Sequence, residues 1–196
     1  MKKRAVFLDR DGTINIDLRY LYQPEKFVYL GGAKEGMKLW QQAGYELVVI
    51  TNQSGIARGY YTEDAYQKLQ DWMLRDLESA GIHIAACYYC PHHPDALAGR
   101  YRIQCDCRKP KTGLFWRAAS QLQLDLDQSY AIGDKMRDLQ ICRESGVRGF
   151  LLYSDTEEIE KTRRSFIKKV RGGIWETAEE MGFVTLRKPG DEGGNR

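Results

Sequence analysis

The 196-residue chain lacks several features that would place it in a specialised class of protein. No apolar run approaches the ~20 residues of a membrane helix, so we expect no membrane-spanning segment. Its five cysteines are an odd number, which argues against a disulfide framework. The net charge of +3 is small and gives little support to a nucleic-acid partner. The hydrophobic fraction of 42% and the charged fraction of 29% are typical of a soluble globular protein.

The first residues also do not show the pattern expected of a secretory leader. Met1 to Arg4 are basic, but only Ala5 to Leu8 supply an apolar run before the first aspartate. A signal peptide needs a longer apolar segment and a cleavage site. We therefore expect a cytoplasmic protein, and nothing in the sequence demands more than a monomer.

Apolar runs alternate with helical patterns along most of the chain. The predicted strands are Ala5–Leu8, Tyr45–Thr51, Ala85–Tyr89, Tyr130–Ile132 and Gly149–Leu152. The predicted helices are Ala33–Ala43, Glu63–Ala80, Gly113–Leu122 and Lys135–Ser145. This alternation predicts an α/β fold: a Rossmann-like parallel sheet with helices on both faces.

The last part of the sequence is less regular. We predict a single domain over residues 1–187, in which the charged segment Asp155–Met181 is largely helical. Phe183–Leu186 is predicted as a last edge strand. Lys188–Arg196 is polar and Gly-rich, which predicts a disordered tail.

Two aspartates follow the first predicted strand, in the run Asp9-Arg10-Asp11-Gly12-Thr13. Open α/β sheets bind their ligands at the carboxyl ends of the strands, where these two carboxylates would lie. One carboxylate can attack a substrate while the other moves protons, and a hard cation can bind between them. The alternative is an ordinary polar turn after a strand.

Three further segments place polar groups at strand ends or before a helix. Thr51 to Ser54 follow the second strand, Arg108-Lys109-Pro110 precedes a helix, and Asp134 follows Gly133. A hydroxyl, loop N–H groups and a lysine can hold a phosphate, while a carboxylate can bind a cation. Taken singly, each segment could be a polar turn, a solvated basic pair or a helix start. Their order along the chain favours one shared site.

At this point the chain resembles the haloacid dehalogenase (HAD) superfamily across about residues 5–153. The four segments that match its motifs are Asp9-x-Asp11-x-Thr13, Thr51, Lys109 and Gly133-Asp134-x-x-x-Asp138. The resemblance implies the HAD fold and a phosphatase in which Asp9 becomes an aspartyl-phosphate and Asp11 moves protons. Thr51 and Lys109 would stabilise the phosphoryl group.

The resemblance also implies a magnesium ion. The side chains of Asp9 and Asp134, with the backbone carbonyl of Asp11, would hold Mg²⁺. Asp138 would orient Lys109 or a metal-bound water.

A second metal site is predicted from the cysteines. Cys90-x-His92 and Cys105-x-Cys107 provide three thiolates and an imidazole, which match a closed structural zinc site and define a zinc loop over residues 90–107. His93 could replace His92, and scattered free thiols are the alternative. Cys87 and Cys142 are expected to be ordinary buried thiols.

Within the superfamily, the zinc loop and the run Thr51–Gly59 resemble phosphatases of heptose bisphosphates, with histidinol-phosphate phosphatases as near relatives. The resemblance implies a phosphorylated sugar as substrate and a role in nucleotide-activated heptose biosynthesis. The sugar-site residues it implies are Asp17, Tyr20, Thr51, Asn52, Gln53 and Ser54, with Lys109 also binding substrate. Arg108 would bind the phosphate that is not cleaved. Arg19 departs from this pattern, since the family commonly has glycine there.

Spacing limits the size of any inserted domain. One helix, one strand and the zinc loop fill the interval from Thr51 to Lys109, so we predict a capless enzyme with an open site. Two other function classes remain. The basic run Lys161–Arg164 allows a nucleic-acid 3′-phosphatase, although flanking acids favour a solvated helix face. A catalytically silent zinc-binding module is the other.

Overall fold

The computed structural model describes residues 2–96, 99–153 and 167–183, and a six-stranded parallel sheet forms their centre. The strands are β1 (Arg4–Leu8), β2 (Tyr45–Asn52), β3 (Ile84–Cys90), β4 (Tyr130–Gly133), β5 (Arg148–Tyr153) and β6 (Ile167–Arg171). Their order in the sheet is β3-β2-β1-β4-β5-β6, and every neighbouring pair is parallel. The predicted α/β fold with a parallel sheet is confirmed.

Helices cover both faces of the sheet, as predicted. They are α1 (Ala33–Gln42), α2 (Ser54–Ala57), α3 (Glu63–Ser79), α4 (Gly113–Gln121), α5 (Ile141–Glu144) and α6 (Ile174–Glu180). Residues of α1, α3 and α6 form the core on one face, around the fully buried Trp40. Residues of α4 and α5 form the core on the other face, where Phe7 meets Phe115 edge-on at 5.3 Å.

The central strand β1 explains where a site can form. Its side chains alternate between the two cores, with Val6 and Leu8 in one and Ala5 and Phe7 in the other. The chain order of the sheet reverses here, since β2 lies on one side of β1 and β4 on the other. Such a switch point leaves a crevice at the carboxyl ends of the strands, because the loops leave it in opposite directions.

The predicted helix Lys135–Ser145 is divided in the structure. A 3₁₀ turn covers Met136–Leu139 and α5 begins at Ile141. The carboxylate of Asp138 accepts a hydrogen bond from the backbone N–H of Lys135 at 3.0 Å and so caps the start of the 3₁₀ turn. This bond also fixes the position of Asp138 directly after β4.

The prediction of a largely helical Asp155–Met181 is wrong at residues 167–171, which form β6, whereas α6 follows as a helix. β6 pairs with β5 and becomes an edge of the sheet. Residues 154–166 lie outside the described part of the chain. So do residues 184–196, which include most of the predicted edge strand and the predicted tail; the single domain over residues 1–187 stays a prediction. Phe183 is not in a strand, but its ring meets that of Trp40 at 5.0 Å.

The two cysteines outside the predicted zinc site differ in burial. Cys142 is buried as predicted, whereas Cys87 is only partly buried, because it lies on the edge strand β3. Between β2 and β3 the chain forms only α2 and α3, in agreement with the predicted capless fold. None of the helices in the described ranges is both long enough and apolar enough to cross a membrane.

Candidate active site

The ends of β1 and β2 and the loops beside them enclose a cavity of about 350 Å³. Its lining is largely polar and consists of Asp9, Asp11, Asp17, Arg19, Tyr20, Thr51, Asn52, Gln53, Ser54, Gly55, Tyr61, Lys109 and Arg137. A larger open groove of about 820 Å³ lies elsewhere, along Lys2, Trp116 and Asp125, and contains none of the predicted site residues. The sheet therefore brings most of the predicted catalytic and sugar-site residues to one place.

Lys109 is the most constrained side chain of the cavity. Its Nζ lies 2.7 Å from Asp9 Oδ1 and 2.8 Å from Asp138 Oδ1, and it donates to the carbonyl oxygen of Ile50 at 2.6 Å. All three charged side chains are buried. Burial raises the pKa of Asp9 to about 7, although the positive charge of Lys109 opposes the rise. Burial also lowers the pKa of Lys109, but the carboxylates of Asp138 and Asp9 outweigh it and leave that pKa above its ordinary value.

Three carboxylates could hold a cation at this end of the sheet. Oxygens of Asp9, Asp134 and Asp138 lie within 4.8 Å of one another. Asp138 is already paired with Lys109, whereas Oδ1 of Asp134 is buried without a hydrogen-bond partner. A buried carboxylate oxygen is rarely left unpaired, and hard divalent cations prefer such ligands. Asp9 and Asp134 therefore fit the predicted magnesium site.

Gly12 allows the first loop to approach this group closely. It has φ of +86°, and a Cβ there would lie 2.4 Å from Asp134 Oδ2. Any other residue would be strained by the left-handed backbone and would push Asp134 away. The glycine of the D-x-D-G-T motif is thus required by the packing of the β1 loop on the β4 loop.

The side chain of Asp11 is held apart from that cation group. Both of its oxygens accept from the guanidinium of Arg10, at 2.8–3.2 Å, and they also accept from Asn15 Nδ2 and Gln53 Nε2 at 3.1 Å. Arg10, Asn15 and Gln53 are all buried. Tyr61 donates to Gln53 Oε1 at 2.7 Å and extends this network. Sequence reasoning missed the role of Arg10, since a buried arginine has no local sequence signal.

Asn52 fixes the loop that carries Lys109. Its Nδ2 donates to the carbonyl oxygen of Lys109 and its Oδ1 accepts from the N–H of Lys109, both at 3.0 Å. Thr51, one residue earlier, is buried and accepts from Gln53 Nε2 at 2.9 Å. Asn52, predicted to bind substrate, thus also joins β2 to the lysine loop.

The predicted sugar-site residues divide into two groups. Asp17 and Tyr20 line the cavity, and Arg19 and Tyr20 have φ of +52° and +54°. Arg19 therefore occupies a backbone conformation that favours glycine, which accounts for the glycine common in similar sequences. Arg108 does not line the cavity: it is half-buried and donates to the carbonyl oxygen of His92 at 3.2 Å. Arg137 does line it and was not predicted, although its place inside the Gly133–Asp138 motif was a signal.

The four predicted zinc ligands lie together at the end of β3. Cys90 Sγ is 3.2 Å from Cys107 Sγ and 3.7 Å from Cys105 Sγ, and His92 Nδ1 is 3.2 Å from Cys107 Sγ. Two sulfurs bound tetrahedrally at 2.3 Å from one zinc would be about 3.8 Å apart. His93 lies outside this group, since its Nε2 contacts Arg58 at 2.9 Å. The group can hold a metal ion with His92 as the imidazole ligand.

Hydrogen bonds to Glu63, which need no metal ion, also fix the zinc loop. Tyr101 in the loop donates to Glu63 Oε2 at 2.7 Å, and Tyr89 of β3 donates to Glu63 Oε1 at 3.0 Å. Glu63 thereby ties the loop to the start of α3. No local sequence pattern indicates this contact, because Glu63 is far along the chain from both tyrosines.

The chain is similar to known phosphatases. Residues 106–171 match the HAD-hydrolase-like family. A D-glycero-β-D-manno-heptose-1,7-bisphosphate 7-phosphatase from Haemophilus ducreyi is 48% identical over 149 residues, which are 76% of this chain and 81% of that protein. The enzyme of the same name from Escherichia coli K12 is 43% identical over 69% of this chain and 71% of its own length.

A solved structure agrees with these relatives. The D,D-heptose 1,7-bisphosphate phosphatase of B. bronchiseptica, complexed with magnesium and phosphate, has a TM-score of 0.75 and 30% identity, over 91% of this chain and 97% of that one. The basic run Lys161–Arg164, which motivated the nucleic-acid alternative, lies outside the described residues.

Proposed function

The chain belongs to the family of D-glycero-β-D-manno-heptose-1,7-bisphosphate 7-phosphatases, and we propose that it removes the 7-phosphate from that sugar bisphosphate. The observation that carries the proposal is the buried group at the end of β1, where Asp9 is held by Lys109 beside the unpaired oxygen of Asp134. An anionic nucleophile next to a fixed cation and a cation site suits phosphoryl transfer. The product would enter nucleotide-activated heptose biosynthesis, which supplies lipopolysaccharide or S-layer precursors.

Asp9 would attack the phosphorus with a carboxylate oxygen, and the bond between phosphorus and the sugar oxygen would break. Asp11 would give its proton to that sugar oxygen, which leaves as an alcohol. Water would then attack the aspartyl-phosphate, Asp11 would take the proton from the water, and the bond from phosphorus to Asp9 would break. Because both oxygens of Asp11 accept bonds from Arg10, the protonated form must release part of this contact.

Thr51 and Lys109 would donate hydrogen bonds to the phosphoryl oxygens, since both lie in the cavity wall beside Asp9. Magnesium would be held by the side chains of Asp9 and Asp134 and by the backbone carbonyl of Asp11. When bound, Mg²⁺ supplies positive charge that offsets the repulsion between the phosphoryl group and the nucleophile. The unpaired Oδ1 of Asp134 and the complex of a relative with magnesium support this site.

Zinc is proposed as a structural ion at the group of Cys90, His92, Cys105 and Cys107. Three thiolates and an imidazole leave no open position for substrate or water. Its part would be to hold the zinc loop, which begins at the end of β3 and leads directly to Lys109. The protein would act in the cytoplasm, on a free phosphorylated sugar. A monomer would be sufficient, because all the proposed site residues come from one chain.

The first experiment measures phosphate release with Mg²⁺ present. Heptose 1,7-bisphosphate should be hydrolysed at least tenfold better, in kcat/KM, than histidinol phosphate. The β anomer should be preferred over the α anomer, as the names of the relatives suggest. Asp9→Asn should lower kcat by at least 10³-fold, since it removes the nucleophile.

Three outcomes would contradict the proposal. A higher kcat/KM for histidinol phosphate would reassign the substrate. Equal activity of Asp9→Asn and the wild type would leave only a silent zinc-binding module. Preferential hydrolysis of a 3′-phosphorylated DNA end, with salt-sensitive DNA binding, would favour the nucleic-acid alternative.

A further inference from the structure

The loop over residues 16–28, which we call the mouth loop, borders the cavity and is closed at its base. The N–H of Ile16 donates to the carbonyl oxygen of Val28 at 2.9 Å, and Asn15 pairs with Tyr29 in an antiparallel bridge. Three residues of the loop line the cavity: Asp17, Arg19 and Tyr20. The mouth loop therefore contacts whatever fills the cavity, while its two ends are tied together.

Within the described residues, three side chains donate to the carboxylate of Asp11, and two of them bind the mouth loop directly. Asn15 Nδ2 donates to Asp11 Oδ1 at 3.1 Å and to the carbonyl oxygen of Ile16 at 2.8 Å. Arg10 Nη2 donates to Asp11 Oδ2 at 2.8 Å and to the carbonyl oxygen of Leu21 at 3.1 Å. Asp11 is thus joined to the start and to the middle of the loop.

The third donor, Gln53, reaches the mouth loop through two aromatic rings. Its Nε2 donates to Asp11 Oδ2 at 3.1 Å, and its Oε1 accepts from the hydroxyl of Tyr61 at 2.7 Å. The ring of Tyr61 stacks on the ring of Tyr22 in the loop, with centroids 5.3 Å apart and planes at 24°. Gln53 and Tyr61 are both buried. Because closely packed buried groups transmit displacements, a shift of Tyr22 would reach Asp11.

Arg10 makes the strongest of these links. Its side chain is buried, and within the described parts of the chain its ion pair is with Asp11 alone. Nε and Nη2 bind both oxygens of Asp11, at 2.8–3.2 Å. A forked guanidinium fixes the plane of a carboxylate as well as its position, whereas a single donor leaves it free to rotate. Arg10 is therefore placed to set the direction in which Asp11 faces the cavity.

We propose that the mouth loop orients Asp11 for proton transfer, and that Arg10 and Tyr61 are the positioning residues that join them. A sugar that contacts the cavity-lining residues of the loop also holds the neighbouring Leu21 and Tyr22, so the fit of the substrate is passed to the acid. This inference rests on the proposed function, in which Asp11 protonates the leaving sugar oxygen, and deepens it. A site without a cap domain would then select its substrate in the chemical step as well as in binding.

The test compares two aryl substrates on the full chain with Mg²⁺: phenyl phosphate and 4-nitrophenyl phosphate. Nitrophenolate leaves readily without a proton, whereas phenolate leaves faster when an acid protonates it. Since kcat/KM reports the steps up to departure of the leaving group, a misplaced Asp11 should reduce it more for phenyl phosphate. Neither substrate contains a sugar, so altered sugar binding cannot produce this effect.

Three variants interrupt the links at different points. Tyr61→Phe removes only a hydroxyl and should lower the ratio of kcat/KM for phenyl over nitrophenyl phosphate about fivefold, the size expected for one lost hydrogen bond. Arg10→Lys should lower it by about tenfold or more, because an ammonium keeps the charge but not the fork. Tyr22→Ala should also lower the ratio, although Tyr22 does not line the cavity. With heptose 1,7-bisphosphate, Tyr22→Ala should lower kcat and leave KM nearly unchanged.

Tyr88→Phe is the matched control. Tyr88 also donates to a glutamine Oε1, that of Gln121 at 2.8 Å, but it does not line the cavity, so the ratio should equal that of the wild type. An unchanged ratio in both Tyr61→Phe and Tyr22→Ala would overturn the inference, and turnover of heptose 1,7-bisphosphate by the wild type would leave the proposed function standing. A wild type that hydrolyses the aryl phosphates but not heptose 1,7-bisphosphate would overturn the proposed function, and the ratio would still decide the inference.

Discussion

Single side chains decide the electrostatics of this site. Asp9 is buried against Lys109, and burial raises its pKa to about 7 from an ordinary value of 3.8. The other charged groups that affect it are Asp138 and Asp11, both of which raise its pKa further. The ionised form of Asp9 is thus destabilised in the free protein. This is typical of active sites in which bound substrate or metal compensates the charge of the nucleophile.

This destabilisation predicts a pH-dependent effect of Asp9→Asn on stability. The folded-state pKa of Asp9 is raised, so the stability that comes from its neutral form is fully present below pH ~4. That stability is lost as the pH rises through about 7. In metal-free protein with EDTA, Asp9→Asn should therefore raise the melting temperature at pH 8 by more than at pH 5, by ~2–4 °C for each kcal/mol gained.

Asp71→Asn serves as the control for this prediction, since it removes the same charge from a residue of α3 that does not line the cavity. Its effect on the melting temperature should be the same at both pH values. If Asp9→Asn shifted the melting temperature equally at pH 5 and pH 8, the prediction would be wrong. Ionisation of Asp9 would then not destabilise the folded protein.

At the scale of secondary structure, strands and turns position the loops that surround the cavity. The end of β2 holds the lysine loop through Asn52, and the 3₁₀ turn after β4 brings Asp138 onto Lys109. The zinc loop is held by the bond from Tyr101 to Glu63, and its cysteine and histidine group can bind a metal ion as a second support. A capless site thereby obtains ordered walls without an added domain.

The zinc loop gives a prediction at this scale. The wild type should carry about one zinc ion per chain, measured by atomic emission. Cys105→Ser should lose this ion. KM for the bisphosphate should then rise tenfold or more while kcat falls less, because Arg108 depends on the carbonyl of His92 for its position. Cys87→Ser should retain both the zinc and the wild-type KM, since Cys87 lies outside the ligand group. A zinc-free Cys105→Ser protein with the wild-type KM would contradict this link.

At the scale of the whole molecule, α1 and α6 pack closely against each other on one face of the sheet. Gly36 lies in the middle of α1, and a Cβ there would be 2.4 Å from the backbone nitrogen of Trp175. Trp40, also on α1, donates from Nε1 to the hydroxyl of Thr177 at 3.0 Å. The segment after the undescribed residues 154–166 is thus part of the same core as the first helix.

Gly36→Ala is predicted to destabilise the protein. Alanine normally stabilises a helix interior relative to glycine, by ~0.5–1 kcal/mol, but here the methyl group would collide with the backbone of α6. Overpacking of this kind costs ~1–3 kcal/mol, so the melting temperature should fall by several degrees. Gly31→Ala is the matched control, because nothing lies within 4 Å of the added Cβ. If Gly36→Ala melted at or above the wild-type temperature, the prediction would be wrong. The two helices would then move apart to accept the methyl group without loss of stability.

The sequence by itself determined the sheet and the chemical groups. The five predicted strands recur within one or two residues, because buried parallel strands are continuous apolar runs bounded by turns. Asp9, Thr51 and Asp134 were predicted to share a site because they follow strand ends, and Lys109 because it precedes a helix; the structure brings the side chains of Asp9, Thr51 and Lys109 to one cavity. Thr62, just before α3, is a residue type typical of helix N-caps, and its hydroxyl accepts a hydrogen bond from the N–H of Ala65.

Only the tertiary structure decided which groups meet. β6 was missed because an edge strand with Lys168, Lys169 and Arg171 lacks the apolar run of a buried strand. The contacts of Arg10 with Asp11 and of Glu63 with Tyr101 join residues whose partners no local pattern reveals. The ion pair of Lys109 with Asp138 likewise forms only through folding, since electrostatic interaction depends on distance in space and not on separation along the chain.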